Sequence, residues 1–122
     1  MDKLVSIITP TYNCGAFIGR TIESVQAQTY SNWEMIIVDD QSKDNTEEVV
    51  AAYAAKDARI HYHRLEQNSG AAVARTTAMQ LAQGSYMAFL DSDDIWLPEK
   101  LERQLKFMEE TGHAFTCTAY EQ

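Results

Sequence analysis

Short apolar segments alternate along this chain with segments whose apolar residues recur every three or four positions. Four apolar segments have the length and β-branched or aromatic content of buried strands: residues 4–9, 33–38, 60–65 and 86–90. The stretches that follow them place apolar residues on one helical face: Ile18, Ile22 and Val25; Val49, Val50 and Tyr53; residues 71–82; and Leu101, Leu105 and Met108. This alternation predicts a parallel α/β sheet with right-handed crossovers and helices on both faces.

The strands differ in polarity, which predicts their places in the sheet. The third strand carries His61, His63 and Arg64, so we expect it near an edge, with both histidines solvated rather than bound to a metal. The fourth strand is apolar on both faces, which predicts a central position. A further apolar run over residues 114–119 predicts a fifth strand.

Local signals predict where the helices begin and end. Asp44 followed three residues later by Glu47 is typical of a capping box. Gly84 follows the Ala-rich helix and is expected to be its left-handed cap. Pro98 is expected at the first position of the last helix, which ends at Gly112.

The composition fits one globular domain over residues 1–122, with 45% apolar and 23% charged residues. The formal net charge is −8 and no window holds a run of Lys and Arg, which disfavours a nucleic-acid partner. No apolar stretch approaches the length of a membrane span and no signal peptide is recognised, so the expected compartment is the cytoplasm. Cys14 and Cys117 stand alone in the sequence, which argues against zinc and redox motifs.

Three carboxylates follow the fourth strand within four residues: Asp91, Asp93 and Asp94. Like charges this close repel one another, and a cluster with only oxygen ligands is the kind that Mg²⁺ or Mn²⁺ prefers. If the chain stays extended past Leu90, Asp91 and Asp93 project to the same side and can share a cation whose other positions take water and phosphate oxygens. Capping of the next helix explains one Asp but not three.

Polar residues also follow the other predicted strands. Tyr12 is suited to stack on a base, and Asn13 either bonds the base or caps the next helix. Asp39 and Asp40 end a strand, where carboxylates commonly accept bonds from a ribose or base. Arg75 is either a solvated helix charge or a partner of a nucleotide or of the acidic residues. Because the carboxyl ends of parallel strands share one edge, these residues predict a nucleotide site there.

A nicotinamide-dependent oxidoreductase would need a Gly-x-Gly-x-x-Gly loop after the first strand. Residues 9–13 read Thr-Pro-Thr-Tyr-Asn, so this class is set aside.

Three motifs in order make the chain resemble the family 2 glycosyltransferases with a GT-A fold. Residues 5–13 are similar to the family's opening strand and P-x-Y-N turn, residues 36–46 to its V-D-D-x-S-x-D-x-T segment, and residues 84–94 to its G-x-Y-x-x-F-L-D-x-D-D segment. The resemblance implies a Rossmann-like, mainly parallel sheet. It also implies transfer of a sugar from a nucleotide diphosphate sugar to an acceptor, with inversion at the anomeric carbon.

Position by position, the resemblance implies a role for each residue that matches a family motif. The implied substrate-binding residues are Thr9, Pro10, Tyr12, Asp40, Arg75 and Asp91, and the implied metal ligands are Asp93 and Asp94. Asp40 would bond the base and Arg75 would lie near the base or pyrophosphate. A bound Mn²⁺ or Mg²⁺ would stabilise charge on the departing nucleoside diphosphate. Gln41, where the family often has Gly, and Thr76, where Asn commonly follows the Arg, depart from the pattern.

Family members continue well beyond this length, so the resemblance implies a truncated GT-A domain that lacks the acceptor-binding half. The general base belongs to that later half, and the acids after Asp94 are typical of surface charges, so none is nominated for this role. We therefore expect this chain alone to be inactive in transfer. Apolar surface left uncovered predicts self-association.

The resemblance favours a UDP-sugar donor and a carbohydrate or lipid-linked acceptor, as in the biosynthesis of polysaccharides or glycolipids. The full-length protein would then be cytoplasmic, with a peripheral association with the membrane. The alternative is a non-catalytic module on the same fold that binds a nucleotide or a cation.

Overall fold

The computed structural model describes residues 3–111, in which strands and helices alternate as predicted. In chain order the elements are β1 (Val5–Thr11), α1 (Ile18–Gln26), β2 (Trp33–Asp39), α2 (Thr46–Ala54), β3 (Ile60–Arg64), α3 (Ala71–Leu81), β4 (Tyr86–Phe89) and α4 (Lys100–Thr111). The strands form one sheet in the order β3-β2-β1-β4, and every neighbouring pair is parallel. The predicted α/β class is confirmed.

β1 and β2 lie side by side at the centre of this sheet. Almost all of their residues are buried, because helices cover both faces of a parallel sheet. The register runs from Val5 opposite Trp33 to Thr11 opposite Asp39, and Arg64 of β3 also lies opposite Asp39. The carboxyl ends of these three strands are therefore level, and the loops that follow them leave the sheet at one edge.

The helices cover both faces of the sheet, as predicted. α1, α2 and α4 pack on one face, where the predicted stripe of Ile18, Ile22 and Val25 is fully buried. Burial of each of these side chains contributes about 1.5–3 kcal/mol. α3 packs on the other face through Ala74 and Ala78, whose small side chains bring the helix close to the sheet. Across residues 3–111, no helix is both long and apolar enough to cross a membrane.

The central position of the fourth strand stays a prediction, because the predicted fifth strand, residues 114–119, lies outside the described residues. Within the described residues, β4 pairs with β1 alone and lies at an edge of the sheet. Met87 and Phe89 pack on the α3 side, and Tyr86 and Ala88 pack on the opposite side. An edge strand of a parallel sheet is thus apolar on both faces, because helices cover the faces and not the edge.

β3 occupies the other edge of the described sheet, as predicted. Its two histidines, His61 and His63, are exposed, which agrees with their interpretation as solvated side chains. His61 Nε2 lies 3.8 Å from the carboxylate of the buried Glu34 on β2.

The capping box predicted at the start of α2 is wrong. Asp44 accepts a hydrogen bond from the Thr46 amide at 3.0 Å, and its other oxygen accepts one from the Gly15 amide at 3.0 Å. Glu47 lies instead 3.6 Å from Arg64 Nη1. Asp44 therefore joins the start of α2 to the loop after β1, a contact that the local sequence could not reveal.

Two other predicted helix boundaries also differ. α3 ends at Leu81 with extended backbone at Ala82, so Gly84 is not its left-handed cap. A Cβ on Gly84 would lie 2.6 Å from the Leu4 carbonyl oxygen, so glycine is needed there for close approach to β1. Pro98 lies in the turn that precedes α4 rather than at its first position. The helix end predicted at Gly112 lies outside the described residues.

Candidate functional site

The structure brings the polar residues that follow β1, β2, β3 and β4 to the carboxyl edge of the sheet. The parallel ladder continues just past the strands there, since the Asp40 amide donates to the Thr11 carbonyl at 2.8 Å. The Leu65 amide likewise donates to the Asp39 carbonyl at 2.9 Å. Ligands of open α/β sheets bind beyond such an edge.

Asp39 is fully buried at the end of β2. One carboxylate oxygen accepts hydrogen bonds from the Ser42 amide at 2.8 Å and the Ser42 hydroxyl at 2.5 Å. The other accepts a bond from the Tyr62 hydroxyl and lies 3.7 Å from Arg64 Nη1. Burial raises the pKa of Tyr62, and its hydrogen bond to Asp39 raises that pKa further. Asp39 therefore organises the loop after β2 rather than facing a ligand.

Asp40 is also buried, with 4% of its surface exposed, and it binds the loop that leads into α3. Its Oδ1 accepts a hydrogen bond from the Ser69 amide at 2.6 Å. Its Oδ2 accepts bonds from the Gly70 amide at 2.9 Å and from Asn68 Nδ2 at 3.2 Å. Oδ1 keeps a second acceptor position, which is the one available to a donor on a nucleotide base.

The loop after β1 is bound to the loop after β2. The Asn13 amide donates to Ser42 Oγ at 2.8 Å, and Asn13 Oδ1 accepts from the Lys43 amide at 2.8 Å. Asn13 has a positive φ of 50°, a conformation that Asn tolerates better than most residues. Its amide oxygen is thus used within the protein, and Phe17 precedes the first turn of α1 in the place where a capping Asn was considered.

The three residues predicted to lie along the nucleotide differ in exposure. Tyr12 is 45% exposed, so an aromatic face is open to solvent at the edge. Pro10 is half-buried. Thr9 is fully buried, and within the described part of the chain its hydroxyl has no hydrogen-bond partner. Of the three, only Tyr12 offers a large exposed side chain to a ligand.

The expected extended conformation after Leu90 is wrong. The Asp94 amide donates to the Asp91 carbonyl at 3.1 Å, so residues 91–94 form a turn, here named the acidic turn. Asp91 and Asp93 are exposed and Asp94 is half-buried. A turn rather than strand alternation therefore sets the directions of the three carboxylates.

Arg75 on α3 acts electrostatically on the acidic turn. Burial raises the pKa of Asp91, the charge of Asp94 raises it further, Arg75 lowers it and Asp93 raises it. This electrostatic effect favours the interpretation of Arg75 as a partner of the acidic residues over its interpretation as an isolated solvated charge. The net increase in the pKa of Asp91 therefore comes first from partial burial of its carboxyl and second from the charge of Asp94.

Thr21 on α1, which the sequence pattern did not single out, binds the backbone of the acidic turn. Thr21 Oγ1, fully buried on α1, lies 2.7 Å from the carbonyl oxygen of Asp94 and 3.0 Å from that of Ser92. The Ser92 hydroxyl donates to Cys14 Sγ at 2.8 Å. In the sequence, the signal for this contact is a Thr next to the apolar stripe of a helix. The residues that it binds are 71 and 73 positions away, so the pattern does not reveal them.

The acidic turn fits a divalent cation that a phosphate-bearing ligand helps to hold. Among residues 3–111, no group of three His, Cys, Asp or Glu side chains is placed to bind a metal. Asp93 and Asp94 would hold Mn²⁺ or Mg²⁺ through two carboxylates, which leaves the other positions to water and phosphate oxygens. The charges of Asp93 and Asp94, both of which raise the pKa of Asp91, are consistent with that fit.

A parallel α/β sheet with an acidic turn at its carboxyl edge is the type of fold in which nucleotides commonly bind beyond that edge. The model of the glycosyl transferase family 2 matches residues 6–122. The chain therefore belongs to this family, as its motifs predict.

Two relatives match nearly the whole chain. The putative teichuronic acid biosynthesis glycosyltransferase TuaG of Bacillus subtilis (strain 168) is 55% identical over 117 residues, which is 96% of this chain and 46% of TuaG. The UDP-Glc:alpha-D-GlcNAc-diphosphoundecaprenol beta-1,3-glucosyltransferase WfgD of Escherichia coli is 47% identical over 120 residues, which is 98% of this chain and 47% of WfgD. The chain spans about half the length of these relatives.

Solved structures of GT-A glycosyltransferases share the fold. S. aureus TarS 1-349 in complex with UDP superposes with a TM-score of 0.81 and 34% identity, over 87% of this chain and 32% of that one. The mannosyltransferase PcManGT from Pyrobaculum calidifontis, in complex with GDP-Man and Mn²⁺, gives a TM-score of 0.82 and 26% identity, over 88% of this chain and 33% of that one. The predicted GT-A fold is confirmed.

Proposed function

We propose that this chain is the donor-binding part of a metal-dependent, inverting glycosyltransferase. The donor is a nucleotide diphosphate sugar, with UDP as the favoured nucleotide. The acceptor is a carbohydrate or a lipid-linked sugar in the synthesis of a surface polysaccharide or glycolipid. The observation that carries the proposal is the acidic turn at the carboxyl edge of the sheet, with Arg75 acting electrostatically on Asp91.

Six of the predicted site residues have surroundings consistent with a role at the donor site, whereas no role is proposed for the side chains of Thr9 and Pro10. The exposed ring of Tyr12 is available to stack on the base, and the open acceptor position of Asp40 Oδ1 is available to a base N–H. Arg75 would neutralise part of the pyrophosphate charge. Asp91 would contact the ribose, while Asp93 and Asp94 would hold the cation.

Asp40 and Arg75 are linked through the chain between them. Asp40 fixes the Asn68–Gly70 loop by three hydrogen bonds to its carboxylate, and this loop begins α3. Arg75 lies on the second turn of that helix. The two residues proposed for the two ends of the nucleotide are therefore held in one rigid unit.

The reaction replaces one C–O bond at the anomeric carbon with another. The acceptor hydroxyl oxygen forms the new bond from the face opposite the leaving group, and the old bond breaks with its electron pair on the nucleoside diphosphate. A divalent cation, when bound, stabilises the charge that develops on the phosphates. The hydroxyl proton goes to a general base, and we assign no residue of this chain to that role.

The names of the relatives support the choice of donor and metal. WfgD is named for UDP-Glc, TarS is solved with UDP, and PcManGT is solved with GDP-Man and Mn²⁺. TuaG is named for teichuronic acid biosynthesis, which supports a surface polysaccharide as the product class.

Calorimetric titration of this chain with UDP and Mn²⁺ tests the donor site. We expect binding that is lost in EDTA and in Asp93→Asn. GDP under the same conditions tests the choice of nucleotide. If a folded chain binds neither nucleotide with metal present, the donor-site proposal is overturned.

Transfer itself is tested with a polypeptide that continues to the length of its relatives. Incubation with a UDP-sugar and a lipid-linked acceptor should give a product whose anomeric configuration, read by NMR, is opposite to that of the donor. Retained configuration would contradict inversion. Tight nucleotide binding with no transfer to any acceptor would favour the non-catalytic module instead.

We also propose that this chain self-associates through a cleft of about 840 Å³ beside α4. Its apolar lining includes Ile95, Leu97 and Phe107, which are 58%, 76% and 55% exposed. Exposed apolar side chains this close together favour association. Sedimentation should show concentration-dependent dimerisation that Leu97→Glu weakens, and a monomer at high concentration would contradict the proposal.

A further inference from the structure

The segment between β4 and α4, residues 90–99, contains no helix or strand, yet it carries the acidic turn. An irregular segment gains no support from a ladder of its own, so its backbone groups must be satisfied by other elements. Its partners are consecutive polar side chains on and just after α1.

Three buried polar residues follow the helical spacing i, i+3 and i+7: Thr21, Ser24 and Gln28, which are 0%, 9% and 7% exposed. This spacing puts them on one side of the helix, beside the apolar stripe that faces the sheet. We name them the polar ladder of α1. They form a second buried face, which the apolar pattern alone did not predict.

The polar ladder contacts the irregular segment in sequence order. The Thr21 hydroxyl donates to the Asp94 carbonyl at 2.7 Å, and its oxygen also lies 3.0 Å from the Ser92 carbonyl and 3.4 Å from the Phe17 carbonyl. Ser24 Oγ accepts from the Trp96 amide at 3.2 Å. Gln28 Nε2 donates to the Leu97 carbonyl at 2.7 Å, and Gln28 Oε1 accepts from the amide of Leu101, in the first turn of α4, at 3.0 Å.

The two ends of the ladder have different neighbours. Thr21 contacts the carbonyls of Ser92 and Asp94, the residues on either side of Asp93. Gln28 contacts the turn and the first residues of α4, several residues away from the carboxylates. Both are buried, and each contacts two backbone groups that follow β4, so they form a matched pair that differs in distance from the carboxylates.

We propose that Thr21 is a positioning residue for the donor site: by binding the Ser92 and Asp94 carbonyls, it fixes the directions of the Asp93 and Asp94 carboxylates. The identity of the ligand rests on the proposed function, but the hydrogen bonds between Thr21 and the acidic turn do not depend on it. Thr21 itself is fully buried and touches no ligand. Outer residues that orient metal ligands typically change metal affinity about 10–100-fold when removed.

The test compares three variants of this chain. Thr21→Val keeps the shape and removes the hydroxyl, Thr21→Ser keeps the hydroxyl, and Gln28→Met removes the matched contacts. For each, calorimetry measures the Kd for UDP in the presence of Mn²⁺, thermal unfolding measures Tm, and NMR hydrogen exchange measures protection of the Asp94 and Leu101 amides.

We expect Thr21→Val to weaken UDP binding about tenfold and Thr21→Ser to restore it. Gln28→Met should lower Tm as Thr21→Val does and leave the Kd within about twofold, because its contacts lie away from the metal ligands. Equal weakening by Gln28→Met and Thr21→Val would overturn the proposal, since it would reduce the effect to a general loss of stability. An unchanged Kd in Thr21→Val would also overturn it.

Hydrogen exchange separates this inference from the proposed function. If the wild-type chain binds no nucleotide, the donor site is contradicted, but the positioning of the turn is still measured. Thr21→Val should then speed exchange at the Asp94 amide and leave the Leu101 amide unchanged, and Gln28→Met should do the reverse. Unchanged protection of Asp94 in Thr21→Val would overturn the positioning role.

Discussion

Two acidic regions at the carboxyl edge of the sheet use their carboxylates in opposite ways. In the loop after β2, the carboxylates of Asp39, Asp40 and Asp44 accept hydrogen bonds from the amides and hydroxyls of the chain. In the acidic turn it is the backbone that the protein holds, while Asp91 and Asp93 are exposed. In the first region the carboxylates stabilise the fold, and in the second the exposed carboxylates remain accessible to a ligand.

This difference separates structural from ligand-binding acids in a way that residue type cannot. An Asp whose oxygens are occupied by the chain fixes a loop, and its loss affects stability. The loss of an Asp whose backbone is fixed and whose carboxylate is exposed should affect ligand binding instead. Asp40 belongs to both kinds, because its carboxylate holds the Asn68–Gly70 loop and keeps one acceptor position.

The largest effect is expected from Asp39→Asn. The amide has only one acceptor oxygen, so it cannot accept the bonds from both Ser42 and Tyr62, and it carries no charge to offset Arg64 at this fully buried site. We expect a loss of about 3 kcal/mol in the free energy of unfolding. Urea unfolding of this variant beside Asp93→Asn checks it, and equal stability of the two would remove the contrast between the regions.

The reverse effect is expected from Asp93→Asn. Removal of one charge from the crowded turn should leave the free energy of unfolding within about 0.5 kcal/mol of the wild-type value. Binding of UDP with Mn²⁺ should weaken at least about tenfold. Titration and unfolding on the same preparation check both parts, and a large loss of stability would place Asp93 among the structural acids.

A smaller effect is expected from Asp44→Ala. This carboxylate bonds the Thr46 amide at the start of α2 and the Gly15 amide of the loop after β1. The side-chain hydrogen bond from Thr46 holds the pKa of Asp44 below its usual value. We expect the variant to lose about 1 kcal/mol of stability. Glu47→Ala is the control, and an equal loss there would restore the capping box.

The smallest effect is a pH dependence at the opposite edge of the sheet. The Arg59 guanidinium bonds Asp57 and lowers the pKa of that carboxyl to about 2. Because this value lies below the unfolded pKa of about 3.9, the contribution is present above pH 4 and is lost as the pH falls toward 2. Urea unfolding of Asp57→Asn should show a deficit of about 1 kcal/mol near neutral pH that shrinks at about pH 3. A deficit independent of pH would contradict the ion pair as its cause.

Much of the fold follows from the apolar pattern, because helices and strands here bury faces of different period. The stripe at Ile18, Ile22 and Val25 is an example, and each of its residues is fully buried. The pairing of β4 with β1 in the described sheet did not follow, since Met87 and Phe89 report which faces are covered and not which strands are neighbours. Apolar content therefore predicts layers better than strand order.

The residues of the candidate site could be proposed from the sequence, but their geometry could not. The acidic residues and Arg75 stand out by charge, and the structure brings them to one edge. The turn from Asp91 to Asp94 replaces the extended backbone because backbone hydrogen bonds, and not side-chain period, decide the local conformation. Thr21 was not predicted as a site residue, because the carbonyls that it binds follow β4 and are distant in sequence.

The pairing of β4 with β1 also has a consequence for folding kinetics. Paired residues of β1 and β4 are 81 positions apart in the sequence, whereas those of β1 and β2 are 28 apart and those of β2 and β3 are 25 apart. Long loops close more slowly and at greater entropic cost. We therefore expect pulse-labelled hydrogen exchange during refolding to protect the amides of β1 and β2 before those of β4 and the acidic turn. The ligand-binding edge would then be the last part of the molecule to form, and a chain still emerging during synthesis would have a sheet before it has a site.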